Sequence, residues 1–234
     1  MKHKSLYERT ERLLGEDGMA RLKRAHVLVF GVGGVGSYVV EALARSGIGA
    51  LTLVDADVVD ITNINRQLVA DLSTVGKDKV EVAKARVLAV NPECRVETRR
   101  MLYLPETSGA FDFSSYDYVA DAIDNVSAKL SLAEECARHG TPIISAMGTG
   151  NKLHPEMLEL ADISKTSVCP LARVMRTELR KRGIHHLKVV YSKEEPIRIP
   201  SENGERAVGS VSFVPSAAGL LMAGEIIRNI SECK

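Results

Sequence analysis

Residues 25–55 read AHVLVFGVGGVGSYVVEALARSGIGALTLVD, and this stretch decides the fold. It opens with a short, β-branched and apolar run (25–30) that is typical of a buried strand. A glycine-rich turn (31–36) follows, then a segment with helical apolar spacing that ends at Gly47, and then a second apolar run (50–55). Two parallel strands joined by a helix make a βαβ unit with a right-handed crossover. The stretch therefore predicts the start of a parallel α/β sheet.

Helix-like and strand-like segments continue to alternate along the chain. They are, in order, a helix (77–92), two strands (94–100 and 116–122), a helix (125–140) and a strand (142–147). Beyond residue 150 come shorter alternating segments (157–163, 187–192 and 210–215), one amphipathic helix (170–183) and a mostly apolar closing helix (216–231). We predict an α/β fold with a Rossmann-like, doubly wound, mostly parallel sheet and an antiparallel C-terminal extension.

The bulk composition limits the domain organisation and the partners. A chain of 234 residues is long enough for one good core, so we expect a single domain. We divide it into an N-terminal arm (1–24), a nucleotide-binding core (25–150) and a substrate-side extension with the closing helix (151–234). The net charge is only +1, which excludes a long-range attraction for polyanions. Any surface for nucleic acid must therefore be local.

Two further observations concern location and metals. The N-terminus lacks the apolar core of a secretory signal, and the late apolar stretch (216–230) is interrupted by Glu225 and Arg228. We expect a cytoplasmic protein with no membrane partner. The cysteines contain no C-x-x-C pair, so we expect no structural zinc site; they are Cys94, Cys136, Cys169 and Cys233.

The glycine turn has the G-x-G-x-x-G spacing of a nucleotide-binding loop. Gly31, Gly33 and Gly36 satisfy the pattern, and Gly34 adds a further position without a Cβ. Such glycines let backbone N–H groups approach phosphate oxygens at the positive end of a helix. Asp55 ends the second strand, where a carboxylate accepts hydrogen bonds from ribose hydroxyls. NAD, FAD and ATP all fit this much of the pattern.

The residues after Asp55 favour a triphosphate. A triphosphate carries about four negative charges that must be neutralised, whereas a redox dinucleotide site needs no cluster of cations there. Arg66 and Lys79 are candidate cations, and Asn63 and Gln67 are uncharged donors. The alternative for each basic residue alone is a solvated surface charge. Their joint position points to ATP rather than to NAD(P).

Asp124 follows the fourth predicted strand, at the edge where parallel sheets bind ligands. A carboxylate at this place is suited to hold Mg²⁺ against phosphate oxygens. The alternative is that Asp124 caps the helix that begins after it. Both roles are compatible.

With these residues in place, the chain resembles the ubiquitin-activating-enzyme-like superfamily that includes the ThiF, MoeB and HesA proteins. The pattern G-x-G-G-x-G, D-x-D, N-x-x-R-Q, a lysine and a D-N pair occurs here in the same order. The resemblance implies an adenylating homodimer that uses ATP and Mg²⁺, with Arg12 reaching the ATP of the neighbouring subunit and Arg9 as the rival for that role. The catalytic residues that it implies are Arg66, Lys79, Asp124 and Arg12. The nucleotide-binding residues are Gly31, Gly33, Gly34, Gly36, Asp55, Asp57, Asn63, Arg66, Gln67, Lys79, Asp124 and Asn125, with Asp124 also the Mg²⁺ ligand.

Three stretches resemble one family within this superfamily. Residues 12–22, 161–183 and 209–228 look like the tRNA threonylcarbamoyladenosine dehydratases, and the zinc cysteines of sulfur-carrier activators are missing. The resemblance implies ATP-dependent cyclisation of N6-threonylcarbamoyladenosine in tRNA through an acyl-adenylate. The alternative is adenylation of the C-terminal glycine of a ubiquitin-like sulfur-carrier protein. A monovalent cation and a sulfur-transfer partner stay open.

The amphipathic helix (170–183) offers a local basic surface for tRNA. Pro170 suits its first turn, and Gly183 suits the position just after its end. The alternative is an ordinary surface helix. The candidate tRNA-binding residues are Arg173, Arg176, Arg180, Lys181 and Arg182.

Cys169 precedes Pro170, which places its thiol at the start of that helix. The helix dipole there lowers the pKa of a thiol and would favour a nucleophile, but an intramolecular cyclisation needs no thioester, so we interpret Cys169 as a bystander. The pair His185 and His186 lacks a third ligand at metal spacing and is interpreted as a surface or RNA-facing feature.

Overall fold

The computed structural model describes residues 6–200 and 208–232. These form one sheet whose strands are β1 (His26–Phe30), β2 (Ala50–Val54), β3 (Arg95–Arg99), β4 (Tyr118–Asp121), β5 (Ile143–Ala146), β6 (Leu158–Asp162) and β7 (Lys188–Ser192). Their order across the sheet is β3-β2-β1-β4-β5-β7-β6. The strands pair in parallel, except that β6 runs antiparallel to β7. The predicted fold class is confirmed, and the antiparallel extension is the β6–β7 pair.

Six helices cover the faces of the sheet in the described ranges. They are α1 (Glu8–Arg24), α2 (Gly36–Arg45), α3 (Lys79–Val90), α4 (Val126–His139), α5 (Pro170–Lys181) and α6 (Phe213–Ser231). The helices α1, α2, α3 and α6 share one core cluster, while α4 and α5 contribute to clusters on the other side. None of the helices in these ranges is long and apolar enough to cross a membrane.

The central strand β1 shows why the sheet is buried on both faces. Val27 and Val29 belong to the core under α2 and α6, whereas the alternate residues Leu28 and Phe30 belong to an opposite, aromatic cluster. All four side chains are fully buried. Side chains alternate between the faces of a strand, so a strand covered on both sides is apolar at every position. This is the origin of the continuous apolar run at residues 25–30.

One predicted strand is wrong. Residues 210–215 were expected to extend the sheet, but α6 begins at Phe213 and carries Pro215 in its first turn. Proline is well tolerated there because the first N–H groups of a helix have no intrahelical partner. Gly219 then lets α6 pack against the start of α2, since a Cβ at this position would lie 2.4 Å from the carbonyl oxygen of Val35. Alternation of apolar and small residues is shared by a strand and by the start of a buried helix.

Helix α1 is bent at Gly15, whose backbone (φ 72°, ψ 167°) is not helical. Beyond the bend, the guanidinium of Arg21 donates to the carbonyl oxygen of Ser231 at 2.7 Å. The later part of α1 is therefore fastened to the end of α6. The earlier part carries Arg9 and Arg12.

Candidate active site

The glycine turn after β1 is built by backbone contacts that exclude side chains. Gly31 has φ +85°, and a Cβ there would lie 2.7 Å from the carbonyl oxygen of Ala122. A Cβ on Gly36 would lie 1.8 Å from the carbonyl oxygen of Gly31. Only glycine fits these two positions, so the turn brings the start of α2 against β1 and β4. Backbone N–H groups at a helix N-terminus then face the carboxyl edge of the sheet, where anions are stabilised.

Asp55 stands directly beside this turn. Its Oδ2 accepts a hydrogen bond from the N–H of Val32 at 2.7 Å, and its Oδ1 accepts one from the N–H of Asp57 at 2.9 Å. Both carboxylate oxygens are thereby oriented by the backbone at the end of β2. Each oxygen has a second lone pair available, which fits the predicted contact with ribose hydroxyls.

Asn63 and Gln67 lie in a compact turn next to the glycines. The side chain of Asn63 accepts from the N–H of Asp60 at 3.2 Å, and the N–H of Gln67 donates to the carbonyl oxygen of Asn63 at 2.9 Å. Both side chains are buried. Gln67 Oε1 is buried and has no hydrogen-bond partner in the described part of the chain. Leaving a buried acceptor unpaired is costly, so this atom fits a site that is completed by a donor from a ligand.

Arg66 is half-buried on the rim of the same turn. Its Nη1 donates to the carbonyl oxygen of Thr62 at 3.0 Å and to Oδ1 of Asn65 at 2.9 Å. These bonds hold the guanidinium plane, while Nε and Nη2 make no hydrogen bond within residues 6–200 and 208–232. The free edge of the fork suits an anion such as a phosphate.

Lys79 is the first residue of α3, as its predicted role requires. Its Nζ lies 2.7 Å from Oδ2 of Asp57. Both residues border the same cavity as Arg66 and the glycines. The predicted D-x-D acid and the predicted phosphate cation are therefore an ion pair in this structure.

The sequence left two roles open for Asp124, those of a helix cap and of a Mg²⁺ ligand. Asn125 is the N-cap of α4, since its Oδ1 accepts from the N–H of Ala128 at 3.0 Å. The interpretation of Asp124 as the cap is therefore wrong. Asp124 is exposed on the cavity wall, and its carboxylate accepts no hydrogen bond from the described residues. An open carboxylate beside an anion site is the donor type that Mg²⁺ prefers.

These groups surround one cavity of about 410 Å³ at the carboxyl edge of the sheet. All the predicted nucleotide-binding residues line it except Gly36, which packs against the carbonyl oxygen of Gly31 within the turn. Sequence reasoning missed Tyr103, Thr149 and Ser210, which complete the walls. Thr149 follows β5 and could have been found from the carboxyl-edge rule; nothing in the local sequence marks Tyr103.

The side chain of Tyr103 forms an uncharged part of the cavity wall. Its hydroxyl lies 3.0 Å from Ser131 Oγ, and its ring packs against Phe30 with centroids 4.6 Å apart. Burial raises the pKa of Tyr103 to about 12. The phenol therefore stays protonated at neutral pH and adds no negative charge beside the site.

A family match decides the class of the protein. The model of the ThiF family matches residues 7–234. The chain belongs to the ThiF family.

Dehydratases are prominent among the relatives of this ThiF-family chain. The tRNA threonylcarbamoyladenosine dehydratase of Bacillus subtilis is 46% identical over 239 residues, which cover 96% of this chain and 94% of that protein. A crystal structure of E. coli tRNA N6-threonylcarbamoyladenosine dehydratase, TcdA, in complex with ATP has a TM-score of 0.88 and 34% identity, and covers 97% of this chain and 93% of that chain. Its complex with AMP has a TM-score of 0.87 and 35% identity, and covers 95% and 92%.

A relative of another kind matches over a shorter stretch. The probable adenylyltransferase/sulfurtransferase MoeZ of Mycobacterium tuberculosis is 37% identical over 132 residues. This covers 56% of this chain and 33% of that protein. The similarity to dehydratases extends over nearly the whole ThiF-family chain, including the segments after β5.

The N-terminal arginines of this ThiF-family chain lie away from the cavity. Arg12 pairs with Glu8 at 2.5 Å, and its side chain is 71% exposed. Arg9 is also exposed, and neither residue lines the cavity of the same chain. A role for Arg12 or Arg9 at the nucleotide of a neighbouring subunit stays a prediction.

The basic residues of α5 have unequal surroundings. Pro170 begins the helix as predicted, and Gly183 follows it with φ +74°. Arg176 donates to Thr166 through Nη1, at 2.6 Å to Oγ1 and 2.8 Å to the carbonyl oxygen, so it holds the loop before the helix.

Carboxylates partly neutralise the C-terminal end of α5. Lys181 and Arg182 pair with Glu178 at 2.7 Å and 3.0 Å. Arg173 and Arg180 are exposed and have no acidic partner among the described residues. Arg176 also lacks an acidic partner in the described ranges, but it is half-buried against Thr166. Arg173 and Arg180 are therefore the candidate tRNA residues that are both exposed and uncompensated.

Cys169 is the N-cap of α5 and is buried, with 3% of its surface exposed. The residue before it, Val168, has φ +60°, which is an outlier for a β-branched side chain. Cys94 and Cys136 are also buried, and burial raises the pKa of both thiols, that of Cys94 to about 11. Cys233 lies outside the described residues. Within the described residues no three His, Cys, Asp or Glu side chains form a metal-binding group.

Proposed function

We propose that this chain is an ATP-dependent enzyme that dehydrates N6-threonylcarbamoyladenosine in tRNA and closes the ring through an acyl-adenylate. The observation that carries the proposal is the cavity that collects the glycine turn, Asp55, Arg66 and Lys79 at one edge of the sheet. The match of a dehydratase over 96% of the chain supports the choice of substrate.

The chemistry follows from the charges around the cavity. The carboxylate of the threonyl group attacks the α-phosphate of ATP, and pyrophosphate leaves. Arg66, Lys79 and the N–H groups of the glycine turn stabilise the negative charge on the transferring phosphoryl group. A nearby oxygen or nitrogen of the same modified base then displaces AMP. Because both groups belong to one molecule, proximity drives ring closure and no protein nucleophile is required.

Asp124 is the residue that would hold Mg²⁺ with the ATP phosphates. Its open carboxylate on the cavity wall and the unpaired acceptor of Gln67 beside the turn fit a hydrated cation bound with a triphosphate. When bound, Mg²⁺ would neutralise charge on the phosphates.

We further propose a homodimer in which Arg12 contributes to the nucleotide site of the neighbouring subunit. The support is that Arg12 lies outside its own cavity and has a side chain 71% exposed, so it is free to reach across an interface. Among the residues that the structure describes, Arg12 pairs with Glu8 alone, one helical turn away, and an exposed pair of this kind is weak enough to exchange.

The carrier-activating alternative is not favoured. The sulfurtransferase relative matches only 56% of the chain, whereas the dehydratases match the segments that form α5 and α6 as well. The basic helix α5, in the predicted substrate-side extension (151–234), offers positive charge to the phosphate backbone of an RNA substrate. A glycine-ended protein tail needs no such surface.

ATP–pyrophosphate exchange separates the two activities. We expect that tRNA carrying N6-threonylcarbamoyladenosine stimulates exchange, that unmodified tRNA does not, and that the product nucleoside loses one water. A Gly-Gly-ended carrier protein serves as the competing substrate, and stimulation by the carrier alone would overturn the proposal. Cys169→Ser is expected to retain full cyclisation, since its thiol has no step to perform.

A further inference from the structure

A fully buried ion pair lies beneath the cavity. Nζ of Lys129, on α4, is 2.9 Å from Oδ2 of Asp121 and 3.1 Å from Oγ of Ser145. Ser145 also donates to Oδ2 of Asp121 at 2.5 Å. The exposure of all three residues is 0%. None of them lines the cavity, so the adenylation chemistry does not use them directly.

Asp121, Lys129 and Ser145 form a buried triad, and this triad is hydrogen-bonded to the backbone of the cavity wall. Oδ1 of Asp121 accepts a hydrogen bond from the N–H of Ile123 at 3.3 Å. Ile123 and Asp124 both line the cavity. Ser145 lies on β5, and the loop after β5 carries Thr149 to the same cavity. The triad thus ties together two strands whose following loops form adjacent walls.

Stability alone does not explain this arrangement. Removing two charges from water has a large desolvation cost, and well-packed apolar residues of similar volume are often as stabilising as a buried ion pair or more so. Lys129 stands in an otherwise buried stretch of α4, where leucine or methionine would pack well. What apolar residues cannot supply is an acceptor for the N–H of Ile123 and a defined orientation of the strand end.

We infer that Asp121, Lys129 and Ser145 are positioning residues that hold residues 122–124 so that the carboxylate of Asp124 faces the nucleotide. Lys129 and Ser145 fix Oδ2 of Asp121, which leaves Oδ1 aimed at the N–H of Ile123. The inference rests on the proposed role of Asp124 in binding Mg²⁺ with ATP. Supporting groups around a metal ligand commonly change metal affinity by about 10- to 100-fold when they are removed.

Two matched double variants test the inference. Asp121→Asn with Lys129→Met removes the ion pair but keeps an amide oxygen for Ile123, whereas Asp121→Leu with Lys129→Met removes the pair and that oxygen. The measurements are the melting temperature and the Mg²⁺ concentration that half-saturates equilibrium ATP binding. We expect the asparagine variant to need about threefold more Mg²⁺, because it loses the bond from Lys129 but keeps Ser145 beside its amide. We expect the leucine variant to need about tenfold more Mg²⁺.

The outcomes separate positioning from simple structural support. Equal Mg²⁺ requirements in the two double variants would overturn the inference. If the leucine variant does not fold, Ser145→Ala decides. It keeps the ion pair, removes the hydrogen bonds of Ser145 with Asp121 and with Lys129, and is expected to raise the Mg²⁺ requirement about threefold. An unchanged requirement would then overturn the inference.

The binding measurement is independent of the tRNA reaction. Failure of the proposed function would appear as wild-type protein that binds Mg²⁺ and ATP but shows no exchange with modified tRNA. Failure of the positioning inference would leave exchange in the wild type and an unchanged Mg²⁺ requirement in the variants. Asp124→Asn provides the reference for direct loss of the ligand.

Discussion

The ammonium group of Lys79 is nearly buried, with 7% of its side chain exposed, whereas the carboxylate that pairs with it, on Asp57, is 68% exposed. The two members of this ion pair therefore depend on each other unequally. Without Lys79, the Asp57 carboxylate is still solvated by water. Without Asp57, the Lys79 ammonium is left in a poorly hydrated place without its ion-pair partner, which is unfavourable.

Lys79→Met is expected to lower ATP–pyrophosphate exchange by about 10²- to 10³-fold, because a cation at the transferring phosphate is lost. The melting temperature should change little, since Asp57 stays solvated. Lys77→Met, at an exposed position just outside the cavity, is the matched control and should behave as wild type. Retention of exchange by the Lys79 variant would exclude Lys79 from the phosphate site.

Asp57→Ala, in contrast, should lower the free energy of unfolding by about 1–3 kcal/mol.

Gly33→Ala should weaken ATP binding without unfolding the protein. A Cβ at Gly33 meets only the side chain of Gln67, 3.7 Å away, which is an ordinary contact. The methyl group would instead occupy the space through which phosphate oxygens approach the backbone. We expect a rise of about tenfold or more in the Kd for ATP, which is about 1.4 kcal/mol. Gly109→Ala, with nothing near its Cβ, controls for the change in residue type; equal effects in both would contradict the assignment.

Arg173 and Arg180 are expected to contact the tRNA backbone. Replacing both with Gln should reduce the slope of log K against log salt by about 1 for each lost phosphate contact. Lys181→Gln with Arg182→Gln removes the same charge from the same helix, but these cations already pair with Glu178. The second double variant should therefore bind tRNA more nearly as the wild type does. Equal losses in the two variants would show that only net charge matters.

Val168→Asn should stabilise the protein. A β-branched residue in the left-handed region is strained by about 1–2 kcal/mol, whereas asparagine tolerates this conformation. The side chain of Val168 is about half exposed, at 50%, so little packing is lost. We expect the melting temperature to rise by about 2–4 °C. Val174→Asn, on α5 with 44% exposure, provides a helical control that should not be stabilised.

Much of the candidate site could be predicted because its signals are local. The spacing of Gly31, Gly33 and Gly36 and the acid at the end of β2 lie within one βαβ unit, and the carboxyl-edge rule then brings Asp124 to the same place. The fold followed from the same periodicities. The prediction of a strand at 210–215 was wrong because alternation over so few residues does not distinguish a strand from the first turn of a buried helix.

The supporting contacts could not be predicted because they join residues far apart in the chain. Lys129 reads as a surface lysine in a helix, and only the packing of α4 on β4 and β5 makes it a buried partner of Asp121 and Ser145. The helical spacing of α5 likewise groups Arg176 with its basic neighbours. It does not reveal that Arg176 turns back to Thr166.

Strand β3 forms one border of the sheet, and charged, exposed residues alternate along it at Arg95, Glu97 and Arg99. A border strand offers unpaired backbone groups to any strand that approaches from solution. A second β3 that paired antiparallel in the register centred on Glu97 would bring Arg95 against Arg99 and Glu97 against Glu97, and would strip water from these charges. The end of the sheet that carries the candidate site is thus next to a border strand whose charges disfavour strand addition. Arg95→Val with Glu97→Val is expected to make the protein prone to self-association through this strand.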